Sequence, residues 1–276
     1  MFVSPMLLHK TDCPFDDDEY ITELKLDGIR LILSKFDDKV RLYTRHNNEV
    51  TAKFPELLSI DIPNGTVIDG EIIVTDSEGK PDFEAMMERF QSKRSAHRIQ
   101  YCVFDVIYYK GDKVANLPLV ERKELLESFL QPTQEIVLVQ WMHGNGEAYF
   151  KLTQDHSLEG VVLKKADSAY KIGKRSHDWL KVINYQYTEA FITGMRKDEF
   201  GLLLGVEEGG KIKPAGIMEF MNQTDRRTFY QRYRNLIIEE NNKFIFIDPQ
   251  LKCRVKFRNY TKDGKLRIPS FVEYIS

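Results

Sequence analysis

Short runs in which apolar residues alternate with others recur along almost the whole chain: 21–33 (ITELKLDGIRLIL), 40–44, 66–75 (TVIDGEIIVT), 99–108 (IQYCVFDVIY), 136–141 and 160–165. A two-residue period is the mark of strands that bury one face in a sheet. Helical spacing is confined to 82–91, with Pro81 near its start, to 119–130, opened by Pro118 and stopped by Pro132, and to 146–156. Strand runs dominate and helices are interspersed, which predicts an α+β fold of antiparallel sheets. One run is odd. In 21–33 the alternation puts Glu23, Lys25 and Asp27 on one face, Leu24 and Leu26 on the other, and then meets Gly28. A charged face of this kind ordinarily turns to water, and only the rest of the chain can say whether this one does.

The character of the chain changes after WLKVINYQY. Strand-like runs follow at 189–195, 201–207, 214–220, 243–248 and 252–258, interrupted by one basic helix, DRRTFYQRYRNLI at 225–237. Five short strands and one helix are the count for an OB-type barrel. Two domains are expected, 1–185 and 186–276, with the boundary near 184–188 and no Gly/Ser linker between them.

Net charge is -2, which by itself does not point to a nucleic-acid partner, but the charge is unevenly spread. Residues 186–276 carry 16 Lys+Arg against 12 Asp+Glu, and residues 1–185 carry 24 against 30. In KCRVKFR, Lys252, Arg254, Lys256 and Arg258 share one strand face. Four cations in a row repel one another unless something anionic lies across them. The alternative is a solvated edge strand whose charges block aggregation. Three dispersed cysteines and six scattered histidines show no metal-ligand spacing and no disulfide framework. No apolar run approaches the roughly 18 residues of a membrane span. The N-terminus lacks the features of a signal peptide, so a cytoplasmic protein without membrane contact is expected.

The charged face at Lys25 has company downstream. KLDGIR (Lys25–Arg30) is followed by YTRHN around Arg45, DGE at Asp69–Glu71, VFD around Phe104, EGVVLK at Glu159–Lys164 and WLKV around Lys181. ERKELL in the 119–130 helix and VKFRNYTKDGKLRIPSF near the C-terminus extend the set. In this order and spacing the motifs resemble the covalent nucleotidyltransferase superfamily, and within it ATP-dependent DNA ligases of minimal, phage or bacterial type. The resemblance covers essentially the whole chain. It implies an ATP-grasp-like nucleotidyltransferase domain of antiparallel sheets with flanking helices, then an OB-fold barrel. It also implies an enzyme that seals nicks in duplex DNA as a monomer.

The resemblance makes Lys25 the nucleophile that takes AMP from ATP. A free lysine has a pKa of roughly 10.4 and must shed its proton to attack, for which neighbouring cations or desolvation are needed. Asp27 and Arg30 belong to the same motif, and Arg30 is implied near the ribose and a strand's terminal phosphate. Glu23 and Leu24, before the lysine, are implied at the adenine edge, and Phe104 as the ring stacked on the base. Glu71 and Glu159 are the implied carboxylates for Mg2+ or Mn2+, oxygen ligands of the kind magnesium prefers. Arg45 is implied at the 5′-phosphate of the nick, Lys164 and Lys181 at the nucleotide phosphates, and Arg267 at pyrophosphate.

Nicked double-stranded DNA is the implied partner, with Arg45, Arg226, Arg227, Lys252, Arg254, Lys256 and Arg258 as its contacts. The segment that encircles DNA is sought in 166–178 or in the basic helix. Only 24 residues precede Lys25, which favours ATP over NAD as donor. RNA ligases, GTP-using capping enzymes and a catalytically dead relative remain the alternatives. Two positions depart from the family pattern: Asn47 stands where glycine is common, and Ile183 where a second lysine is expected.

Overall fold

The computed structural model describes residues 1–92 and 94–275. The chain divides into two compact units, Met1–Asn184 and Tyr185–Ser276. In the first unit the elements run β1 (Leu7–Lys10), β2 (Tyr20–Leu24), β3 (Ile29–Phe36), β4 (Lys39–Thr44), β5 (Thr66–Val74), α1 (Phe83–Gln91), β6 (Ile99–Tyr109) and β7 (Asp112–Lys113). They continue with α2 (Leu119–Phe129), β8 (Ile136–Leu138), β9 (Trp141–His143), α3 (Gly146–Asp155), β10 (Gly160–Lys165) and β11 (Arg175–Ile183). One sheet has the order β1-β11-β10-β2-β9, and the other β4-β3-β5-β6-β7, with β8 also on β6. Pairing is antiparallel except for β1 on β11 and β8 on β6.

Alternate residues of the second sheet serve two different cores. Leu31, Leu33, Ile68 and Val106 pack with Phe54, Met86 of α1 and Leu126 of α2. Their neighbours Ile32, Val67 and Ile107 pack toward the other sheet, against Ile21 of β2 and Trp179 of β11. Burial on both faces is why β5 reads as a nearly unbroken apolar run. It also makes two acidic residues conspicuous, for Asp69 and Asp105 are fully buried and directly paired across β5 and β6.

The alternation in 21–33 predicts one strand, and here the structure differs. β2 ends at Leu24 in the first sheet and β3 begins at Ile29 in the second. Lys25–Gly28 is the crossing between them, so the predicted shared face of Glu23, Lys25 and Asp27 is broken after Glu23. The crossing is tight. A side chain on Gly28 would lie 2.3 Å from the Ile72 carbonyl oxygen, which only glycine avoids. The run 136–141 likewise divides, into β8 and β9 on different sheets. Residues 175–178, expected in a DNA-encircling loop, open strand β11, and Tyr170 in the same segment is buried.

The second unit contains β12 (Gln186–Arg196), β13 (Leu202–Glu208), β14 (Lys211–Met218), α4 (Gln223–Arg232), β15 (Ile237–Glu240), β16 (Phe244–Phe257) and β17 (Ser270–Ile275). The sheet order is β14-β13-β12-β16-β15, with β17 also on β16. A hydrogen bond from the Leu266 N–H to the Ala215 oxygen and a bridge between Phe220 and Ser270 draw the β14 edge toward the start of β17 and curl the sheet. Ala190, Ile192, Leu204, Leu251, Cys253 and Val255 fill its interior, and Phe229 of α4 plugs it. Where two strands are expected at 243–248 and 252–258 there is one, β16. Its pairing with β12 jumps from Phe246↔Gly194 to Leu251↔Ile192, leaving Pro249 in an interruption of the ladder where its missing N–H costs nothing.

Helix α2 is held to the sheets by a buried ion pair. Arg122 donates from Nε to Asp105 Oδ1 at 2.7 Å and from Nη2 to Oδ2 at 2.9 Å, and both residues are fully buried. Its third nitrogen donates to the carbonyls of Leu117 and Ser168. Removing one partner strands a charge in the interior. Asp105→Ala should therefore lower the free energy of unfolding by about 3–5 kcal/mol in urea titrations; a loss under about 1 kcal/mol would contradict this account of the pair.

Candidate active site

The crossing at Lys25 lies where the two sheets of the first unit meet. Its backbone N–H donates to the Gly160 carbonyl at 2.9 Å, which brings the start of β10 alongside. Gly160 has φ +138 and approaches Val182 so closely that a side chain there would overlap its carbonyl oxygen. The residue before it, Glu159, is thereby set beside Lys25, with Oε2 2.8 Å from Nζ. Their side chains are 18% and 5% exposed, so this ion pair is screened little by solvent.

Two adjoining cavities share Lys25, Arg30 and Glu71. The inner one is narrow and mostly apolar, lined also by Leu24, Leu26, Phe104, Val139, Val162 and Trp179, with Glu23 and Lys164 in its wall. The outer one, of about 500 Å³, is lined by Arg45, His46, Arg175 and Lys181. An apolar slot suits a flat base, and a cationic chamber suits phosphates.

Electrostatics sharpen this division. Glu71 is pushed up to about 7 by burial, which Asp69 and Asp27 reinforce and Lys25 and Arg30 only partly oppose. Lys181 is shifted down, by burial first and then by the cations Lys25, Arg175, Arg45 and Lys10 around it. The outer chamber thus carries a surplus of positive charge, while the Glu71 carboxylate is disfavoured chiefly by its burial.

Glu71 and Glu159 both face Lys25. Among the described residues no three acidic, histidine or cysteine groups cluster to form an all-protein metal site. Two largely buried carboxylates beside the Lys25 amine fit a magnesium-type ion that would take its remaining oxygens from phosphate and water.

Arg30 is not free to roam. It donates from Nε to Asp69 Oδ1 at 2.9 Å and from Nη2 to Oδ2 at 2.5 Å, and its guanidinium lies 5.1 Å from the Phe104 ring centroid. Glu23 accepts from Lys164 Nζ at 2.7 Å and from Lys123 of α2. Burial alone would raise the Glu23 carboxyl, but the two ammonium groups outweigh it and hold it below its ordinary value. Lys164 is itself pushed down to about 8 by burial, against the pull of Glu23, and stands 4.4 Å from the Phe104 ring centroid and 4.3 Å from that of Trp179. The Lys164 ammonium, expected at a phosphate, pairs with Glu23 in the wall of the apolar slot that Lys25 shares.

The two departures from the family pattern have physical readings. Asn47 has φ 63, the left-handed conformation that glycine adopts freely and asparagine tolerates best among the rest. Ile183 is buried, and the second cation that β11 brings to the chamber is Arg175, at the opposite end of the strand from Ile183.

Of the residues expected to touch DNA in the second unit, Arg226 is engaged internally. It stacks 3.6 Å from the Phe200 ring centroid and donates to the carbonyls of Met221 and Glu219. Arg227 is exposed on α4. Lys252 and Arg254 face β12 and β17, where Glu189 and Glu273 pair with them, and Tyr187 and Tyr185 lie 5.3 and 5.1 Å from Arg254 and Lys256. This face is therefore partly neutralised. Arg258 and Arg267 are bound to each other's segment by a backbone hydrogen bond, and Arg267 Nη1 donates to Asn259 at 3.3 Å.

Asp69, Lys123, Arg175 and Trp179 contribute to the site without having been singled out from sequence. Of these, Asp69 lies inside DGE, Trp179 inside WLKV and Lys123 inside ERKELL, motifs that could have flagged them.

Comparison with known proteins follows the same residues. The model of the ATP dependent DNA ligase domain matches residues 5–182. The SPbeta prophage-derived DNA ligase-like protein LigB of Bacillus subtilis strain 168 is 57% identical over 98% of both chains. This chain belongs to the ATP-dependent DNA ligase family. The multifunctional non-homologous end joining DNA repair protein LigD of Mycobacterium tuberculosis H37Rv is 28% identical over 98% of this chain, which spans 38% of that protein's length. Two solved ligase structures share the fold. The mycobacterial DNA ligase D complexed with ATP and MES has a TM-score of 0.61 at 24% identity, covering 99% of this chain and 95% of that one. A Lig E DNA ligase, described as binding DNA with a minimal scaffold, has 0.68 at 19%, covering 98% and 99%. The chain is thus built on nucleotidyltransferase and OB-fold architecture, and membership of the family implies the use of ATP. None of its described helices is long and apolar enough to cross a membrane.

The state of Glu71 is open to measurement. Its carboxyl keeps a proton in the folded ligase up to about pH 7, whereas the unfolded chain releases it near its ordinary value of 4.5. The resulting stabilisation is present below pH 4.5 and is lost as pH rises through 7, to the extent of about 3 kcal/mol. Glu71→Gln should raise the melting temperature relative to wild type at pH 8 and leave it nearly unchanged at pH 5. An equal shift at both pH values would contradict the assignment.

Proposed function

We propose that this ligase seals 3′-hydroxyl/5′-phosphate nicks in duplex DNA through a lysyl-AMP and then a DNA-adenylate. The observation that supports it best is the position of Lys25. Its amine sits where the apolar slot opens into the cationic chamber, paired with Glu159 at 2.8 Å. A triphosphate with its base in the slot would bring its α-phosphate to the same place.

In the first step the Lys25 amine attacks the α-phosphorus of ATP. A P–N bond forms, the α–β P–O bond breaks, and pyrophosphate leaves. The amine must first lose its proton, which the Glu159 ion pair retains and the cations Arg30, Lys181 and Arg175 disfavour. Mg2+ or Mn2+ held by Glu71 and Glu159 would neutralise charge on the reacting phosphate. In the second step a 5′-phosphate oxygen of the nick attacks the same phosphorus and releases Lys25, with Arg45, exposed at the chamber wall, holding that phosphate. In the third the 3′-hydroxyl attacks the 5′-phosphorus and AMP departs.

Glu23, Leu24 and Phe104 hold the base in this reading, and Arg30 and Lys181 the ribose and phosphates. Arg267 assists pyrophosphate release. Duplex DNA is gripped by phosphate contacts from Arg227, Lys252, Arg254, Lys256 and Arg258, which position without reading sequence. A bacterial or phage repair or replication role and a monomeric enzyme go with this reading.

Incubation with Mg2+ and α-labelled ATP should transfer one AMP to the wild-type chain and seal a nicked duplex, with the rate falling steeply as salt rises. Lys25→Ala should show neither from ATP, yet still close a pre-adenylylated nick more slowly. Full labelling of Lys25→Ala would contradict the reading, and GTP, NAD and nicked-RNA arms separate the related chemistries.

A further inference from the structure

Tyr170 lies in the segment between β10 and β11, buried, with its hydroxyl 2.6 Å from Asp69 Oδ2. The same oxygen accepts from Met6 N–H at 3.0 Å. With one lone pair taken by that amide, the hydroxyl proton has Asp69 as its acceptor, so the direction of the bond is fixed. Asp69 in turn receives both Arg30 bonds, and Oδ2 is shared between Arg30 Nη2 and Tyr170. Arg30 lines both cavities of the site.

We propose that Tyr170 is a positioning residue that sets Arg30 by fixing the Asp69 carboxylate. Without the hydroxyl, Asp69 keeps only the arginine, and the pair can turn together about the Asp69 side chain. With it, three donors on two oxygens leave one orientation.

The hydroxyl is separable from the packing of its own loop. The Tyr170 N–H donates to the Ala115 oxygen at 2.7 Å, and the Ser168 carbonyl accepts from Arg122 at 2.8 Å. The ring meets Trp179 edge-on at 5.5 Å and lies 5.9 Å from the Arg122 guanidinium. A phenylalanine would keep all of these contacts and lose the bond to Asp69 together with the acceptor of the Met6 N–H. The register supports the same division: Asp69 and Asp105 face each other across β5 and β6, each gripped by one arginine, and Tyr170 presents its hydroxyl to one pair and its ring to the other.

The proposal rests on Arg30 acting on the nucleotide or the reacting strand, as in the proposed function. The test is a double-mutant cycle in single-turnover sealing of a pre-adenylylated nick. Tyr170→Phe should slow sealing by about tenfold while keeping a cooperative melt, since small misplacements at a reacting centre cost one to two orders of magnitude. On an Arg30→Ala background the same change should have under about a twofold effect, because the residue it serves is gone. Asp69→Asn should show the same non-additivity.

Independent, multiplying losses would overturn the positioning role. So would a Tyr170→Phe chain that seals at the wild-type rate, or one that no longer melts cooperatively, which would give the hydroxyl a folding role instead. A wild-type chain that seals no nick contradicts the proposed function as well. A wild type that seals normally confines the failure to Tyr170.

Discussion

The crossing of the chain from one sheet to the other at Lys25–Gly28 is the constraint on which the rest of the first unit depends. Because β2 and β3 belong to different sheets, the four residues between them sit where those sheets meet, with an apolar core on either side. The hydrogen bond from Lys25 to Gly160 and the close seating of Gly28 against β5 fix that crossing from both directions. Other groups of the site are then reached from strands that already had to be there: Arg30 from β3, Glu71 from β5, Phe104 from β6, and Lys181 from β11.

Charge is distributed along the same line. Where the interior holds a carboxylate it is answered by a cation: Asp69 by Arg30, Asp105 by Arg122, Glu23 by Lys123 and Lys164. Such pairs bring little net stability against apolar replacements, but they fix geometry, because breaking one leaves a buried charge. Around Lys25 the balance is deliberately incomplete. Burial disfavours the charged forms of both Glu71 and Lys181, and like-charged neighbours add to it, so charge of the opposite sign beside each would relieve them. A nucleoside triphosphate with its metal has that distribution of charge.

Much of this was legible because motif residues must be a particular chemical type wherever they fall. Glu23, Lys25, Arg30, Glu71, Phe104 and Lys164 are scattered through the sequence yet line one pocket. What periodicity could not show was where a strand stops while its pattern continues. The alternation of 21–33 runs through Lys25–Gly28 although the strand does not, since leucines at 24 and 26 keep the period while the backbone changes sheets. Asp248–Pro249 reads as a turn but interrupts the ladder within one long strand. The partners that tune the site were hidden for another reason. Lys123 looks like a solvated helix residue and Tyr170 like a loop aromatic, and only long-range packing puts the first on Glu23 and the second on Asp69. Lys164 could be read as cationic from sequence, but its pairing with Glu23 could not.

The central claim is that one particular amine, among the many lysines of the chain, becomes bonded to the phosphorus of AMP. Tandem mass spectrometry of the protein after incubation with ATP and Mg2+, digested under alkaline conditions that spare a P–N bond, addresses it directly. The account predicts a single adenylylated peptide containing Lys25, and loss of the adduct on brief acid treatment. An adduct on Lys164, Lys181 or any other residue, with the Lys25 peptide unmodified, would contradict it.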